Sequence, residues 1–251
     1  MQQQELWIES TLDHTLQPSL FYAAAGKEKR PMLIGLHTWS FDRFNQVDNL
    51  VPIAQEHNFN LLLPEFRGKN LNSSPNCTEA CGSDLAKQDI KDAIDYVIAH
   101  YNVDPENLFL FGCSGGGHMA LLMAGFCPAY FQSVAAFVPI SDLYLWTQQN
   151  KGYAHHVAAC CMDSEEEMSK RSPVTYIDSI ALTNTKIFHG KTDSVVPVTQ
   201  SISFYNELIS RHPDAKVYLD IFDGGHEIDF TLFRHWLITQ YEKYEKKEVT
   251  G

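Results

Sequence analysis

Residues 107–126 combine a short apolar run, a glycine-rich turn and a helical run, and this combination restricts the fold more than any other feature. The turn is Gly112-Cys113-Ser114-Gly115-Gly116, between Asn107-Leu108-Phe109-Leu110-Phe111 and the helical run His118 to Phe126. A serine at the centre of a sharp strand-to-helix turn adopts positive φ, and small residues two before and two after it let strand and helix approach. We therefore expect Ser114 to project from the carboxyl edge of a sheet. The alternative is an ordinary glycine-rich turn.

Strands and helices alternate along the rest of the chain. Apolar runs predict buried strands at 31–36, 60–63 and 133–138, and alternation with aromatic residues predicts strands at 5–10 and 17–23. The last two strands are expected at 185–189 and 216–222. Helical spacing predicts helices at 46–57, 84–101, 198–210 and 228–243. This order predicts one α/β domain over residues 1–251, with a mostly parallel sheet covered by helices on both faces. A polar loop at 66–83 is expected to form a wall of the site, and residues 143–184 a small helical cap.

Composition narrows the classes of function. The formal net charge is −12 and there is no extended basic run, which argues against a nucleic-acid partner. No apolar stretch reaches the roughly 18 residues of a membrane span. The first residues lack the pattern of a signal peptide, so the sequence as given predicts a cytoplasmic protein without membrane contact, and export after removal of a leader stays open. Self-association also stays open.

Six cysteines carry no zinc-binding spacing, and we expect neither a metal nor another cofactor. Cys77 and Cys81 lie in the polar loop, and Cys160 and Cys161 are adjacent in the predicted cap. A bridge from Cys77 or Cys81 to Cys160 or Cys161 is one reading for an oxidising compartment. Buried free thiols are the simpler expectation.

Two later strand ends carry the partners that a serine nucleophile requires. A serine hydroxyl needs a base to accept its proton and a carboxylate to orient that base. Asp193 follows the strand at 185–189, and His226 follows the last strand after two glycines. The order Ser114, Asp193, His226 places all three at one edge of a parallel sheet. Asp142, after the strand at 133–138, is the main rival for the acid role.

Donors for a tetrahedral oxyanion are expected at two turns. The backbone N–H of Gly115 directly follows the nucleophile. The second donor should come from His37-Thr38-Trp39-Ser40, after the strand at 31–36, with Trp39 preferred and Thr38 second.

These residues resemble the α/β-hydrolase family, and more narrowly its prolyl-oligopeptidase-like esterases and peptidases. The resemblance rests on the motifs Gly112 to Ala120, Pro139 to Leu143, Arg171-Ser172-Pro173, His189 to Asp193 and Gly224-Gly225-His226. It implies an eight-stranded sheet and the catalytic roles of Ser114, Asp193 and His226. His37-Thr38-Trp39 departs from the usual His-Gly-Gly oxyanion turn, and the sequence shows no N-terminal propeller.

The favoured hypothesis is a serine carboxylesterase acting on a small acyl ester, such as acetyl or feruloyl groups on plant polysaccharide. Four side chains are expected to contact the substrate: His37, Asp142, Trp146 and Tyr153. A peptidase of the resembling family is the alternative, in which Glu165-Glu166-Glu167 would bind a substrate amino terminus. A non-catalytic protein that retains the fold is a third reading.

Overall fold

A single eight-stranded sheet runs through the computed structural model, which describes residues 1–248, with side chains up to residue 242. The strands are β1 (Gln3–Glu9), β2 (Leu16–Tyr22), β3 (Arg30–Leu36), β4 (Asn60–Pro64), β5 (Val103–Cys113), β6 (Ser133–Phe137), β7 (Thr185–Gly190) and β8 (Val217–Phe222). Their order across the sheet is β1-β2-β4-β3-β5-β6-β7-β8. β2 pairs antiparallel with both β1 and β4, and the remaining pairs are parallel. The eight strands and the parallel centre agree with the expected architecture.

Helices cover both faces of the sheet. They are α1 (Val47–Glu56), α2 (Asp84–His100), α3 (Gly115–Phe126), α4 (Leu143–Gln149), α5 (Lys151–Cys160), α6 (Glu165–Lys170), α7 (Ile177–Ile180), α8 (Thr199–Arg211) and α9 (Phe230–Glu248). α2, α3, α7 and α8 contribute to the apolar core on one face, and α1 and α9 to the core on the other. Side chains of β3 and β5 enter both cores alternately, which explains their continuous apolar sequences.

The strand that leads to Ser114 is longer than predicted. It begins at Val103 rather than Asn107, because Val103 pairs with Arg30 before a register shift separates that pair from Met32 and Leu108. Asp104 and Pro105 fall within this irregular part, where the Asp104 carboxylate accepts hydrogen bonds from Glu106 N and Asn107 Nδ2. The helix after Ser114 likewise begins at Gly115 instead of His118.

The segment predicted as a cap contains α4, α5 and α6, followed by a 3-10 turn at Pro173–Tyr176 and then α7. Its buried side chains form a third apolar cluster, which includes Trp146, Val157 and Met168 and extends to Trp39 after β3. The cap is therefore packed onto the same sheet edge as the Ser114 turn. Among the described residues, none of the helices combines the length and apolar character needed to cross a bilayer.

Candidate active site

Ser114 occupies the sharp turn between β5 and α3 that the sequence predicts. Its backbone has φ 56° and ψ −117°, and its N–H donates to Phe137 O over 2.9 Å. The turn tolerates no larger residue at Gly112, since an added Cβ would lie 2.0 Å from Gly116 O. At Gly116 an added Cβ would lie 2.6 Å from Leu36 O. Close backbone packing thus holds Ser114 in a conformation that is strained for a side-chain-bearing residue.

The structure brings Ser114, His226 and Asp193 together in one hydrogen-bonded chain. His226 Nε2 lies 2.9 Å from Ser114 Oγ, and His226 Nδ1 lies 2.7 Å from Asp193 Oδ2. A carboxylate only accepts, so Nδ1 carries the proton and Nε2 is free to accept from the serine hydroxyl. This is the tautomer that a general base requires.

The Asp193 carboxylate is shielded from solvent and surrounded by donors. Val195 N and Val196 N donate to Oδ1 over 2.8 and 2.9 Å, and Oδ2 faces His226 and, at 3.4 Å, His189 Nε2. Burial alone would raise the pKa of Asp193, but the nearby imidazoles of His189 and His226 and the Val196 N–H outweigh it and hold that pKa well below the usual range. The carboxylate is therefore charged wherever His226 acts as a base.

Two backbone amides lie near Ser114, those of Gly115 and Trp39. The Gly115 N–H lies in the first turn of α3, where a helix provides no acceptor. Trp39 N lies close to Gly115: a Cβ built on this glycine would be 2.6 Å from Trp39 N. Thr38 N already donates to Asn45 Oδ1 over 3.0 Å, and no hydrogen bond occupies Trp39 N within residues 1–248. The geometry favours Gly115 and Trp39 over Thr38 as oxyanion donors.

Three of the predicted substrate contacts are buried or already bonded to other parts of the protein. His37 is buried, its ring is stacked 3.9 Å from that of Phe66, and its Nε2 donates to Glu65 O. Asp142 caps α4 through Leu145 N, and Asp193 rather than Asp142 contacts His226. Trp146 is 1% exposed. His37 and Trp146 therefore expose almost no surface to a substrate, whereas Asp142 is only half-buried.

Trp146 instead supports the loop that holds Asp193. Its Nε1 donates to Val195 O over 2.9 Å, and Asn150 Nδ2 donates to the same oxygen over 2.9 Å. The half-buried Tyr153 stacks on Trp146 with ring centroids 5.0 Å apart and meets Trp39 edge-on at 6.3 Å. Of the four predicted contacts, Tyr153 and Asp142 are half-buried, and for these two a substrate contact stays a prediction.

His189 is a supporting residue whose contact with the acid the sequence did not predict. It is completely buried at the end of β7, where Nε2 donates to Val196 O over 2.8 Å and Nδ1 accepts from Ser201 Oγ over 2.7 Å. The contact with Asp193 arises because the chain doubles back within four residues. The only sequence feature that pointed to His189 was its position at the end of a predicted strand, directly before a glycine.

The chain matches a known family over most of its length. The profile of the prolyl oligopeptidase family covers residues 46–244. The chain belongs to the prolyl oligopeptidase family. Ser114, Asp193 and His226 all lie inside the matched region.

Two relatives of this chain are named as a carboxylic ester hydrolase and an acylamino-acid-releasing enzyme. It is 28% identical to "Probable carboxylic ester hydrolase LipM" of Mycobacterium tuberculosis over 165 residues, which is 56% of this chain and 37% of that protein. It is 21% identical to acylamino-acid-releasing enzyme 1 of Oryza sativa over 216 residues, 79% of this chain and 28% of that enzyme. The chain thus spans about a third of the length of these relatives.

Solved structures confirm the α/β-hydrolase fold. The Pyrococcus horikoshii acylaminoacyl peptidase matches with a TM-score of 0.72 at 18% identity, covering 98% of this chain and 41% of that one. A Mycobacterium tuberculosis puromycin-hydrolysing peptidase matches with a TM-score of 0.70 at 16% identity, covering 90% of this chain and 37% of that one. At these identities the likeness extends to the fold alone.

Proposed function

We propose that this chain is a serine hydrolase that cleaves small carboxylic esters through an acyl-enzyme. One observation carries the proposal: a continuous hydrogen-bonded chain runs from buried Asp193 through His226 to Ser114. The strained turn presents Ser114, and two unoccupied amides lie beside it. These are the parts that acyl transfer needs.

In this reaction, His226 Nε2 takes the proton of Ser114 Oγ as the oxygen attacks the ester carbonyl. The carbonyl oxygen becomes an oxyanion and accepts hydrogen bonds from Gly115 N and Trp39 N. Protonated His226, held by Asp193, then gives its proton to the departing alcohol. Water attacks the resulting acyl-enzyme by the same steps in reverse order and releases the acid.

The acidic run in the cap argues against an aminopeptidase. Glu166 lies 2.8 Å from Lys170 Nζ, and Glu167 lies 3.1 Å from Arg171 Nη2. Both carboxylates are thus already paired with basic groups on the same helix or just after it. A substrate ammonium group would have to displace these partners, which favours an ester without a free amino terminus.

Hydrolysis of p-nitrophenyl acetate by the wild type and by Ser114→Ala tests the proposal. We expect the variant to lose kcat/KM by a factor of about 10³ or more, since loss of a triad nucleophile removes the covalent route. The exposed Ser73→Ala is the matched control and should keep wild-type activity. A fluorophosphonate should label the wild type and Ser73→Ala but not Ser114→Ala.

A substrate panel separates esterase from peptidase. It contains acetyl and feruloyl esters, aminoacyl-naphthylamides and an N-acylated amino-acid amide. We expect the esters to have the highest kcat/KM. Faster cleavage of either amide class would favour the peptidase hypothesis over the esterase hypothesis. Equal ester turnover by wild type and Ser114→Ala would reject both hypotheses.

A further inference from the structure

Four of the six cysteines meet between the polar loop and the cap. Cys77 and Cys81 lie in the loop between β4 and α2, and Cys160 and Cys161 lie at the end of α5. All four join the apolar cluster that contains Trp39 and Trp146. Cys81, Cys160 and Cys161 are buried, whereas Cys77 is partly exposed, and all are free thiols.

Arg171 holds the two segments against each other. Its Nη1 donates to Thr78 O and Ala80 O in the loop over 3.0 and 3.2 Å, and to Cys160 O over 3.1 Å. Its guanidinium is buried and also paired with Glu167. The hydrogen bonds of Arg171 therefore hold the cysteine-bearing loop against the end of α5, independently of any contact between the thiols.

The contacts among the thiols select one pairing. Within the cluster, Cys160 interacts with the thiols of both Cys77 and Cys81, and Cys81 also interacts with Cys161. A Cys81–Cys160 bridge would leave Cys77 and Cys161 without a neighbouring thiol as partner. We propose that the cluster is an oxidation site that forms two disulfides, Cys77–Cys160 and Cys81–Cys161, with a small-molecule disulfide such as oxidised glutathione as the oxidant.

Four clustered cysteines can also bind a metal ion, but their arrangement in this protein does not support a metal site. Within residues 1–248 no group of three or more histidine, cysteine, aspartate or glutamate side chains is arranged to hold a metal ion. Disulfide formation asks only that sulfurs meet in pairs.

Exchange can enter at the partly exposed Cys77. Its thiolate attacks oxidised glutathione and releases one glutathione thiol, and Cys160 then attacks the Cys77 sulfur and releases the second. The hydrogen bond from Cys81 and the charge of Arg171 lower the pKa of Cys160 despite its burial, which favours the attacking thiolate. Each bridge removes two electrons and two protons from two protein thiols and converts one oxidised glutathione into two thiols. Cys81 then attacks Cys160 in the first bridge and frees Cys77, which reacts with a second oxidised glutathione. Cys161 attacks Cys81 and frees Cys160, and Cys160 attacks Cys77 and releases the last glutathione thiol.

The bridges would fix the loop that supports the proposed oxyanion turn. Asn70 N donates to Trp39 O over 2.8 Å, and Asn70 Oδ1 accepts from Cys81 N over 2.8 Å. Cys81 is thus two hydrogen bonds from the residue whose amide faces Ser114. Oxidation would attach this support covalently to the cap.

Thiol counting after incubation with oxidised glutathione tests the site. The folded protein is treated with reduced or oxidised glutathione, quenched in acid, unfolded and labelled with a maleimide for mass spectrometry. We expect six labels on the reduced protein and two on the oxidised protein, at Cys113 and Cys127, which lie outside the cluster. Six labels on both samples, or glutathione adducts that persist without protein disulfides, would overturn the proposal.

Single variants test the pairing. In the oxidised state Cys81→Ser should label at Cys161, Cys113 and Cys127, and Cys161→Ser at Cys81, Cys113 and Cys127. Label at Cys77 in oxidised Cys161→Ser would instead indicate a Cys81–Cys160 bridge. The melting temperature of the wild type should rise by about 5–10 °C on oxidation, whereas a variant with all four cysteines changed to serine should not respond. These readouts do not depend on esterase activity, so either proposal can fail alone.

Discussion

At the scale of single residues, the central feature of the site is the number of donors around one carboxylate. Asp193 receives two backbone N–H groups and the His226 imidazole, and His189 approaches it from the buried side. Since the orientation of His226 depends on this carboxylate, we infer that His189 acts as a positioning residue through Asp193.

Substitution of His189 should therefore affect turnover more than binding. We expect His189→Leu to lower kcat for nitrophenyl acetate by roughly tenfold, about 1.4 kcal/mol, with little change in KM, because Asp193 loses a donor and His226 loses orientation. His189→Gln retains a donor near the Nε2 position and should recover most of that loss. Equal kcat values for His189→Leu and wild type would show that the contact has no role in positioning.

A second buried histidine makes stability depend on pH. His118 is completely buried, and burial lowers its pKa to about 4. Between pH 6.5 and 4 the unfolded chain binds a proton at this residue while the folded chain does not. The free energy of unfolding should thus fall by up to about 3 kcal/mol as pH decreases through this window.

His118→Gln tests this dependence by urea denaturation at several pH values. The Gln amide can still donate to Arg171 O, as His118 Nε2 does, but it does not titrate. We expect a flatter pH dependence than in the wild type, with a residual slope because burial also lowers the pKa of His37. The exposed His14→Gln should match the wild type, and an unchanged slope in His118→Gln would contradict the assignment.

At the scale of elements, the β5-turn-α3 unit depends on backbone contact that excludes a side chain. We expect Gly112→Ala to lower the free energy of unfolding by about 3 kcal/mol or more, because its Cβ would overlap Gly116 O at 2.0 Å. Gly225→Ala is the control, since a Cβ there has no neighbour within 4 Å. Urea unfolding of both variants measures the difference, and a Gly112→Ala protein as stable as Gly225→Ala would contradict it.

At the scale of the whole molecule, one buried arginine joins three distant segments. Arg67 Nε lies 2.6 Å from Asp89 on α2, and Nη1 lies 2.8 Å from Asp13 in the β1-β2 turn and 3.0 Å from Glu79 in the polar loop. Arg67 and Asp89 side chains are each 1% exposed. Removing the guanidinium would leave a buried carboxylate without its partner.

We therefore expect Arg67→Met to lower the free energy of unfolding by about 3–5 kcal/mol. Arg211→Met is the matched control, because Arg211 forms its ion pairs on the surface with half of its side chain exposed. Its loss should cost less than about 0.5 kcal/mol. Similar losses for both variants in urea unfolding would show that the buried network contributes no more than a surface pair.

Local sequence patterns were sufficient to predict most helices and strands, and to select Ser114, Asp193 and His226, which form the hydrogen-bonded chain. The helix predicted at 84–101 is observed as α2, which Ser83 caps through its Oγ accepting from Ala86 N. The early start of β5 was not predictable, because its first pair depends on Arg30, more than seventy residues away. The burial of Trp146 was not predictable either, because its N–H donates to the carbonyl of Val195, which lies on a distant part of the chain.

The sequence by itself determined the nucleophile turn, the chain order of Ser114, Asp193 and His226, and the alternation that brings strand ends to one edge. These follow from local backbone preferences and burial patterns, which neighbouring residues specify. Only the tertiary structure decided which amide stays free after β3, that His189 lies beside Asp193, and that the cysteines of the loop and the cap share one cluster. The last two depend on side chains meeting partners through the fold, as Arg171 meets the carbonyl of Thr78, 93 residues away, and no local pattern encodes such a meeting.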